Sequence, residues 1–408
     1  MGALYFFSYF HRVAIPGTIF NELQSDMAFS ASAVTALGAI FLYVYAGVQP
    51  LVGIMADRWG GTRVLIIGGT LMCIGSIVFP LAQSTAILYS SRALIGLGAG
   101  CMYLSLIKEI DTHFSLENFS TFLGALIFMG YAGGLAGTFP FERATQAFGW
   151  RRSLLFIGIF SAIVLIFSVG LLKKLRGKSG DGPPFSLQSL GKVVRNYRAY
   201  PVLFAGSFNW AIYFLVQTTV GKKFLQDVAG ISSSVASAYT LVMMAVAMLM
   251  ALLWGLFSRL IGNRRRPLII ACPIATSVAA VTVLGGILSG APSWLFLTCY
   301  TIFAASAACA PVFAASMKEL NPSDTVALSV SIQNTVAYLV AGILANGVGL
   351  VLDAFATGRP TGTKTIIYPD KAYIIVFAGI TGLALVATLL SLLAPETHGK
   401  PSYRPTDS

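Results

Sequence analysis

The sequence predicts an all-α polytopic membrane protein with twelve transmembrane helices, and three observations carry that prediction. Apolar residues make up 56% of the 408 residues and charged ones only 10%, where a soluble domain carries about 25%. Mean hydropathy is +0.78. The apolar residues also gather into runs long enough to cross a ~30 Å hydrocarbon layer, with the charges between them.

The runs cover residues 3–20, 31–53, 64–81, 87–107, 122–139 and 153–172, then 202–220, 235–257, 268–288, 294–315, 326–352 and 373–393. Six runs, a gap and six more predict an N-terminal bundle at 1–172, a linker at 173–200, a C-terminal bundle at 201–394 and a cytoplasmic tail at 395–408. The gap holds seven Lys/Arg against the single acid Asp181, together with the turn-forming GDGPP, so it reads as a flexible basic linker with a short surface helix near 185–194. The first run lacks a basic leader and a small-residue cleavage site and is expected to stay as a span.

With both termini cytoplasmic, seventeen Lys/Arg fall on the inner side and eight on the outer, with Arg12 and Arg92 left inside spans. That asymmetry sets the orientation and accounts for the net charge of +12 without any nucleic acid. The five cysteines lie in apolar runs without CxxC spacing, so neither a metal site nor a disulfide framework is expected. Three scattered histidines, His11, His113 and His398, form no catalytic constellation, and no phosphate-cradling GxxxxGK occurs, so no enzyme, cofactor or nucleotide fuel is indicated.

The first run, ALYFFSYFHRVAIPGTIF, carries the strongest functional signal. Counting back from Asn21 and Glu22 at about 1.5 Å per residue places Arg12 roughly 15 Å deep, close to the bilayer midplane. A central arginine costs about 2.5–3.5 kcal/mol on insertion scales, so it is expected to face a cavity or a partner. Tyr5, Tyr9 and Arg12 recur at helical spacing and share a face.

Residues 53–63, GIMADRWGGTR, fit GxxxDRxGxxR. Gly53 permits close helix approach, Asp57 is placed to accept hydrogen bonds from the first turn of a neighbouring helix, and Arg58 and Arg63, flanking Gly60, sit where ion pairs could latch two bundles. The fourth span joins Arg92 to Gly96, Gly98 and Gly100, the fifth carries GYAGGLAG from Gly130 to Gly137, and FGWRRSLLF opens the sixth. Together these motifs resemble the major facilitator superfamily of secondary transporters over the whole chain. The resemblance implies two six-helix bundles of inverted three-helix repeats, alternating access about a midplane site, and spans 1, 4, 7 and 10 lining that site with 2, 5, 8 and 11 contributing. The second copy of the loop, WGLFSRLIGNRRR, has Ser258 or Arg259 where an acid belongs. Gly137 is followed by Thr138 rather than the proline of antiporters.

Among polar residues of those spans, the candidate substrate ligands are Arg12, Tyr5, Tyr9, Tyr43, Arg92, Tyr131, Asn209, Tyr213, Gln217, Tyr300, Gln333 and Asn334. Asn209, Tyr213 and Gln217 form one stripe at i, i+4, i+8. None of the 15 acids falls near the middle of a span, so the two deep arginines lack a deep counter-ion. A small anionic solute, a carboxylate or amino-acid-like metabolite, would supply one. The stretch SYFHRV also looks like the basic first-span signature of organic-anion symporters. His11 is the candidate proton-coupling group, because imidazole ordinarily titrates near 6.5, with Glu142 second. The expectation is a monomeric, proton-coupled importer in the cell membrane, the inner membrane if bacterial. An efflux porter for amphipathic compounds or siderophores is the alternative, with a transporter-fold sensor or membrane enzyme behind it.

Overall fold

In the computed structural model the described residues are 2–113, 116–172, 187–322, 325–356 and 366–403. The linker segment 173–186 and the tail from 404 onward lie outside them. The chain divides into two compact units, Met1–Phe29 with Ala33–Pro184 and Ser30–Ser32 with Phe185–Ser408. Ten helical segments are long and apolar enough to cross a membrane among the described residues, and the pair Phe122–Ala136 and Phe139–Phe148, bent by 41°, brings the number to eleven.

The first unit contains α1 (Gly2–Ala14), α2 (Phe20–Met27), α3 (Ala31–Trp59), α4 (Gly61–Leu81), α5 (Thr85–Gly100), α6 (Met102–His113), α7 (Leu116–Ala136), α8 (Phe139–Phe148) and α9 (Trp150–Leu172). The expected first span is the one that falls short of a single long helix. Its α1 has 13 residues, and Pro16, which lacks an N–H, separates it from a 3-10 turn at Gly17–Ile19. The fifth span bends where Gly137 meets Pro140 at the start of α8. The fourth is interrupted at Cys101, between α5 and α6.

Two glycines set the spacing of this bundle. A Cβ on Gly98 would lie 2.3 Å from the Gly68 carbonyl oxygen, and one on Gly133 would lie 2.0 Å from that of Phe6. Both obstacles are backbone, so α4 and α5, and likewise α1 and α7, touch at distances only glycine allows.

The loop at 53–63 is built differently from its expected roles. A Cβ on Gly53 would meet nothing within 4 Å, so Gly53 seats no close helix contact. Gly60 supplies the left-handed turn, with φ +84°. Arg58 and Arg63 are exposed, and the side chain of Asp57 lies outside the described residues. Among the described residues, Glu109 accepts from the start of α4, 2.5 Å from the Thr62 nitrogen.

The second unit contains α10 (Leu187–Val194), α11 (Tyr200–Leu215), α12 (Gly221–Asp227), α13 (Ser233–Leu260), α14 (Arg266–Ser289), α15 (Ser293–Ala307), α16 (Ala310–Leu320), α17 (Val326–Ala354) and α18 (Asp370–Leu392). A π segment at Val216–Val220 joins α11 to α12. Lys223 and Asp227, which follow the predicted run 202–220 in sequence, have buried side chains on α12. They form an ion pair of 2.7 Å with side chains 1% and 2% exposed. The Tyr373 hydroxyl donates to Asp227 at 2.6 Å and Lys223 donates to the Ile366 carbonyl. Each charge thus keeps hydrogen bonds besides its partner, the condition under which a buried pair is tolerated.

The acid missing from the second loop comes from the far end of the chain. Glu396 accepts from the backbone N–H of Arg265 at 2.8 Å and of Arg266 at 3.1 Å, where α14 begins. Arg265 also donates to Glu319 at 3.0 Å, and Glu319 accepts from Thr397. The start of the predicted tail is therefore tied to this unit. Burial alone would raise the Glu396 carboxyl, but N–H bonds from His398, Arg265, Arg266 and Thr397 outweigh it and hold the group below its ordinary value. A depressed carboxyl stabilises fully above its unfolded pKa and loses that contribution as pH falls through the folded one. Thermal midpoints should thus be flat above about pH 5 and fall in the acid range. The fall should be smaller in Glu396→Gln, measured by differential scanning fluorimetry.

Candidate functional site

In the first unit, Arg12 is 3% exposed and so turned away from the outer surface of the bundle. Its Cζ lies over the Tyr9 ring at 4.3 Å and over the Tyr45 ring at 4.7 Å. Ring faces attract a guanidinium through their quadrupole, and the attraction grows where water is excluded. Around this pair the tyrosines pack on one another: Tyr5 meets Tyr9 edge-on at 5.1 Å and stacks on Tyr103 at 5.7 Å, while Tyr9 lies 5.9 Å from Tyr131. Tyr5 and Tyr45 are buried, whereas Tyr9, Tyr103 and Tyr131 are half-buried and form the accessible side.

The rings of Tyr5 and Tyr9 approach α7 closely because position 130 has no side chain. A Cβ there would come 2.7 Å from Tyr5 Cε1 and 3.0 Å from the Tyr9 ring. Both obstacles are side-chain atoms, so Gly130→Ala should displace rings rather than helices. The expected result is a small change in thermal midpoint, with any loss falling on solute binding, checked by thermal shift with and without candidate solutes.

His11 and Arg92, the other basic residues of the predicted site, point elsewhere. His11 Nε2 is 2.7 Å from Ser76 Oγ, whose own hydroxyl donates to the Met72 carbonyl. The imidazole is therefore the Nε2–H donor, and its buried Nδ1 has no hydrogen bond. Arg92 donates to the Ile15 carbonyl at 2.6 Å and to the Leu37 carbonyl at 3.1 Å, with Cζ 4.4 Å from the centre of the Phe41 ring. One N–H group thus holds the backbone at the break in the first span and another ties it to α3. Glu142 is wholly buried on α8 and accepts from Gln146 Nε2 at 2.9 Å. Tyr43 is half-buried on α3. Residues two apart on a helix face nearly opposite ways, which is why Tyr45 and not Tyr43 meets Arg12.

The polar residues of the second unit do not converge in the same manner. Asn209 accepts from Thr276 at 2.6 Å and Ser306 at 3.1 Å, inside the bundle. The Tyr213 hydroxyl contacts Met244 Sδ, and Gln217, within the π segment, donates to the Thr240 carbonyl. Tyr300 donates to the Gly221 carbonyl at 3.0 Å. Gln333 packs against Gly206 and accepts through its carbonyl from Ser207, while Asn334 is half-buried beside it. Next to these, Trp210 stacks on Phe214 at 4.6 Å and meets Tyr338 at 4.8 Å.

Two parts of the first-unit arrangement escaped sequence reasoning. Tyr103 was hidden because it follows the break at Cys101, so its helical phase cannot be carried over from Arg92. Glu109 sits at the end of a span and reads as an ordinary interfacial acid. Breaks recur in the first, fourth, seventh and tenth spans, the last at Ala308 and Cys309 between α15 and α16, and interrupted helices free backbone groups for a site.

The family model of the Major Facilitator Superfamily matches residues 1–346. The chain belongs to that superfamily. Its fold is the all-α membrane fold of that superfamily. Among curated members, human monocarboxylate transporter 7 is 25% identical over 177 residues, 42% of this chain and 33% of that protein. Mouse monocarboxylate transporter 11 is 27% identical over 196 residues, 47% of this chain and 43% of that protein. The matches thus span less than half the length of those relatives. In fold, a bacterial homologue of the human lysosomal transporter Spinster, solved inward-facing and occupied, aligns with a TM-score of 0.75 at 15% identity over 96% of this chain and 95% of its own. A D-xylose–proton symporter aligns with a TM-score of 0.70 at 15% identity over 98% and 97%. These superfamily structures speak to the fold alone.

Proposed function

We propose that this superfamily member carries a small organic anion, a monocarboxylate, into the cell by alternating access coupled to a proton. The observation that carries the reading is the enclosed guanidinium of Arg12 against the faces of Tyr9 and Tyr45. Rings cover the guanidinium on two sides, and the planar N–H edge of an arginine matches a carboxylate in bidentate fashion. One carboxylate is favoured over two because Arg92, the second buried guanidinium of this unit, already holds the carbonyls of Ile15 and Leu37. The names of the curated relatives agree with this class.

The proton is assigned to His11 Nδ1, a buried lone pair without a hydrogen bond one residue from Arg12. It is faced by Ser76 on α4 and acted on by Arg92 of α5. The chain is placed in the cell membrane, the inner membrane of a bacterium, with both termini cytoplasmic, on the Lys/Arg asymmetry of its loops. Uptake of labelled monocarboxylates into proteoliposomes under an imposed inward proton gradient tests the whole reading. Gradient-stimulated uptake is expected, and His11→Gln should retain counterflow exchange while losing the stimulation. Uptake of neutral or cationic solutes with carboxylates ignored would refute it.

A further inference from the structure

We infer that the carboxylate received at Arg12 carries a planar aromatic group, which lies against the rings of Tyr9, Tyr103 and Tyr131. The inference rests on the carboxylate reading above and adds the chemistry of the other end of the solute. Tyr9 lies directly over Arg12, Tyr131 packs on Tyr9 and Tyr103 on Tyr5, and Tyr9, Tyr103 and Tyr131 are half-buried where Tyr5 and Tyr45 are buried. A solute whose carboxylate meets the guanidinium beside Tyr9 has these rings as neighbours for its remaining atoms.

Those rings come from three helices, α1, α6 and α7. Tyr9 lies 5.9 Å from Tyr131, and Tyr103 is stacked on Tyr5. Walls built of ring faces and edges favour a flat π system, which makes offset or edge contacts at each wall, over a puckered ring of equal size. Hydroxyls of Tyr5, Tyr9, Tyr103 and Tyr131 form no hydrogen bond with another described residue. Each is thus a donor available to a substituent on the aromatic group. A short aliphatic acid would fill the cation site and leave the rings uncovered. A dicarboxylate would bring a second charge to a wall of phenols.

The test uses the full-length protein in proteoliposomes and compares benzoate with cyclohexanecarboxylate, which has the same charge and ring size but is not flat, and with acetate. Benzoate is expected to compete about tenfold better than cyclohexanecarboxylate and better still than acetate, one or two aromatic contacts being enough for that ratio. Tyr131→Leu and Tyr103→Leu should each bring the benzoate preference toward unity, while Tyr131→Phe, which keeps the ring, should preserve it. The ratio within each variant is read, so a change in protein amount does not move it, and the wild-type ratio needs no variant at all. Equal competition by benzoate and cyclohexanecarboxylate, or a preference untouched by both leucine variants, overturns the inference and leaves the carboxylate reading standing. Failure of all three acids to compete refutes the carboxylate reading itself.

Discussion

Arg12→Gln is expected to abolish carboxylate uptake, with a loss of about a hundredfold or more in apparent affinity. Removing one partner of an enclosed, hydrogen-bonded charge pair costs about 3–5 kcal/mol, and each 1.4 kcal/mol is about tenfold. Arg12→Lys keeps the charge but loses the planar fork and its fit between two rings, so uptake should remain far below wild type. Membrane abundance should hold in both variants, since a Gln or Lys side chain still rests on Tyr9 and Tyr45. Initial uptake rates normalised to protein in the membrane fraction check this. Full transport by either variant would remove Arg12 from the solute path.

Gly133→Ala should do the opposite, lowering stability before it touches selectivity. The new Cβ would stand 2.0 Å from the Phe6 carbonyl oxygen and 2.7 Å from its carbon. Backbone cannot rotate aside, so α1 must separate from α7. Overpacking of this kind costs about 1–3 kcal/mol, sometimes more. Gly124, on the same α7, has nothing within 4 Å of its Cβ position, so Gly124→Ala controls for helix propensity and should be neutral or slightly stabilising. A fluorescence size-exclusion thermal profile of the two variants should separate them clearly. Gly133→Ala carrying the wild-type midpoint would mean that the α1–α7 contact is looser than its geometry implies.

Much of the fold was legible because bilayer physics restricts the possibilities. Long apolar runs must be helices when no water satisfies their backbone, and the Gly53–Arg63 loop with Arg92 and its glycines pointed to the superfamily. The Arg12 neighbourhood was half legible. Helical phase put Tyr5 and Tyr9 with Arg12 and allowed His11 to point about 100° away, and His11 does turn to Ser76. Phase within one helix says nothing about which residues of other helices arrive there. Tyr103 was therefore found only in three dimensions, the choice of Tyr45 over Tyr43 was made there, and the Asn209–Tyr213–Gln217 stripe resolved into separate contacts with Thr276 and Ser306, Met244 and Thr240.

The sequence alone determined the solvent this chain folds in, the helical class, the approximate spans and the presence of two arginines at a depth where charge is expensive. Those follow from composition and one-dimensional spacing, which the bilayer reads directly. Only the tertiary structure decided that Arg92 holds backbone while Arg12 is sheathed in phenol rings, that Lys223 and Asp227 are buried partners, and that Glu396 completes a loop more than a hundred residues away. Each depends on groups distant in sequence meeting within a few ångströms, and such meetings are set by packing between helices, which no local pattern encodes.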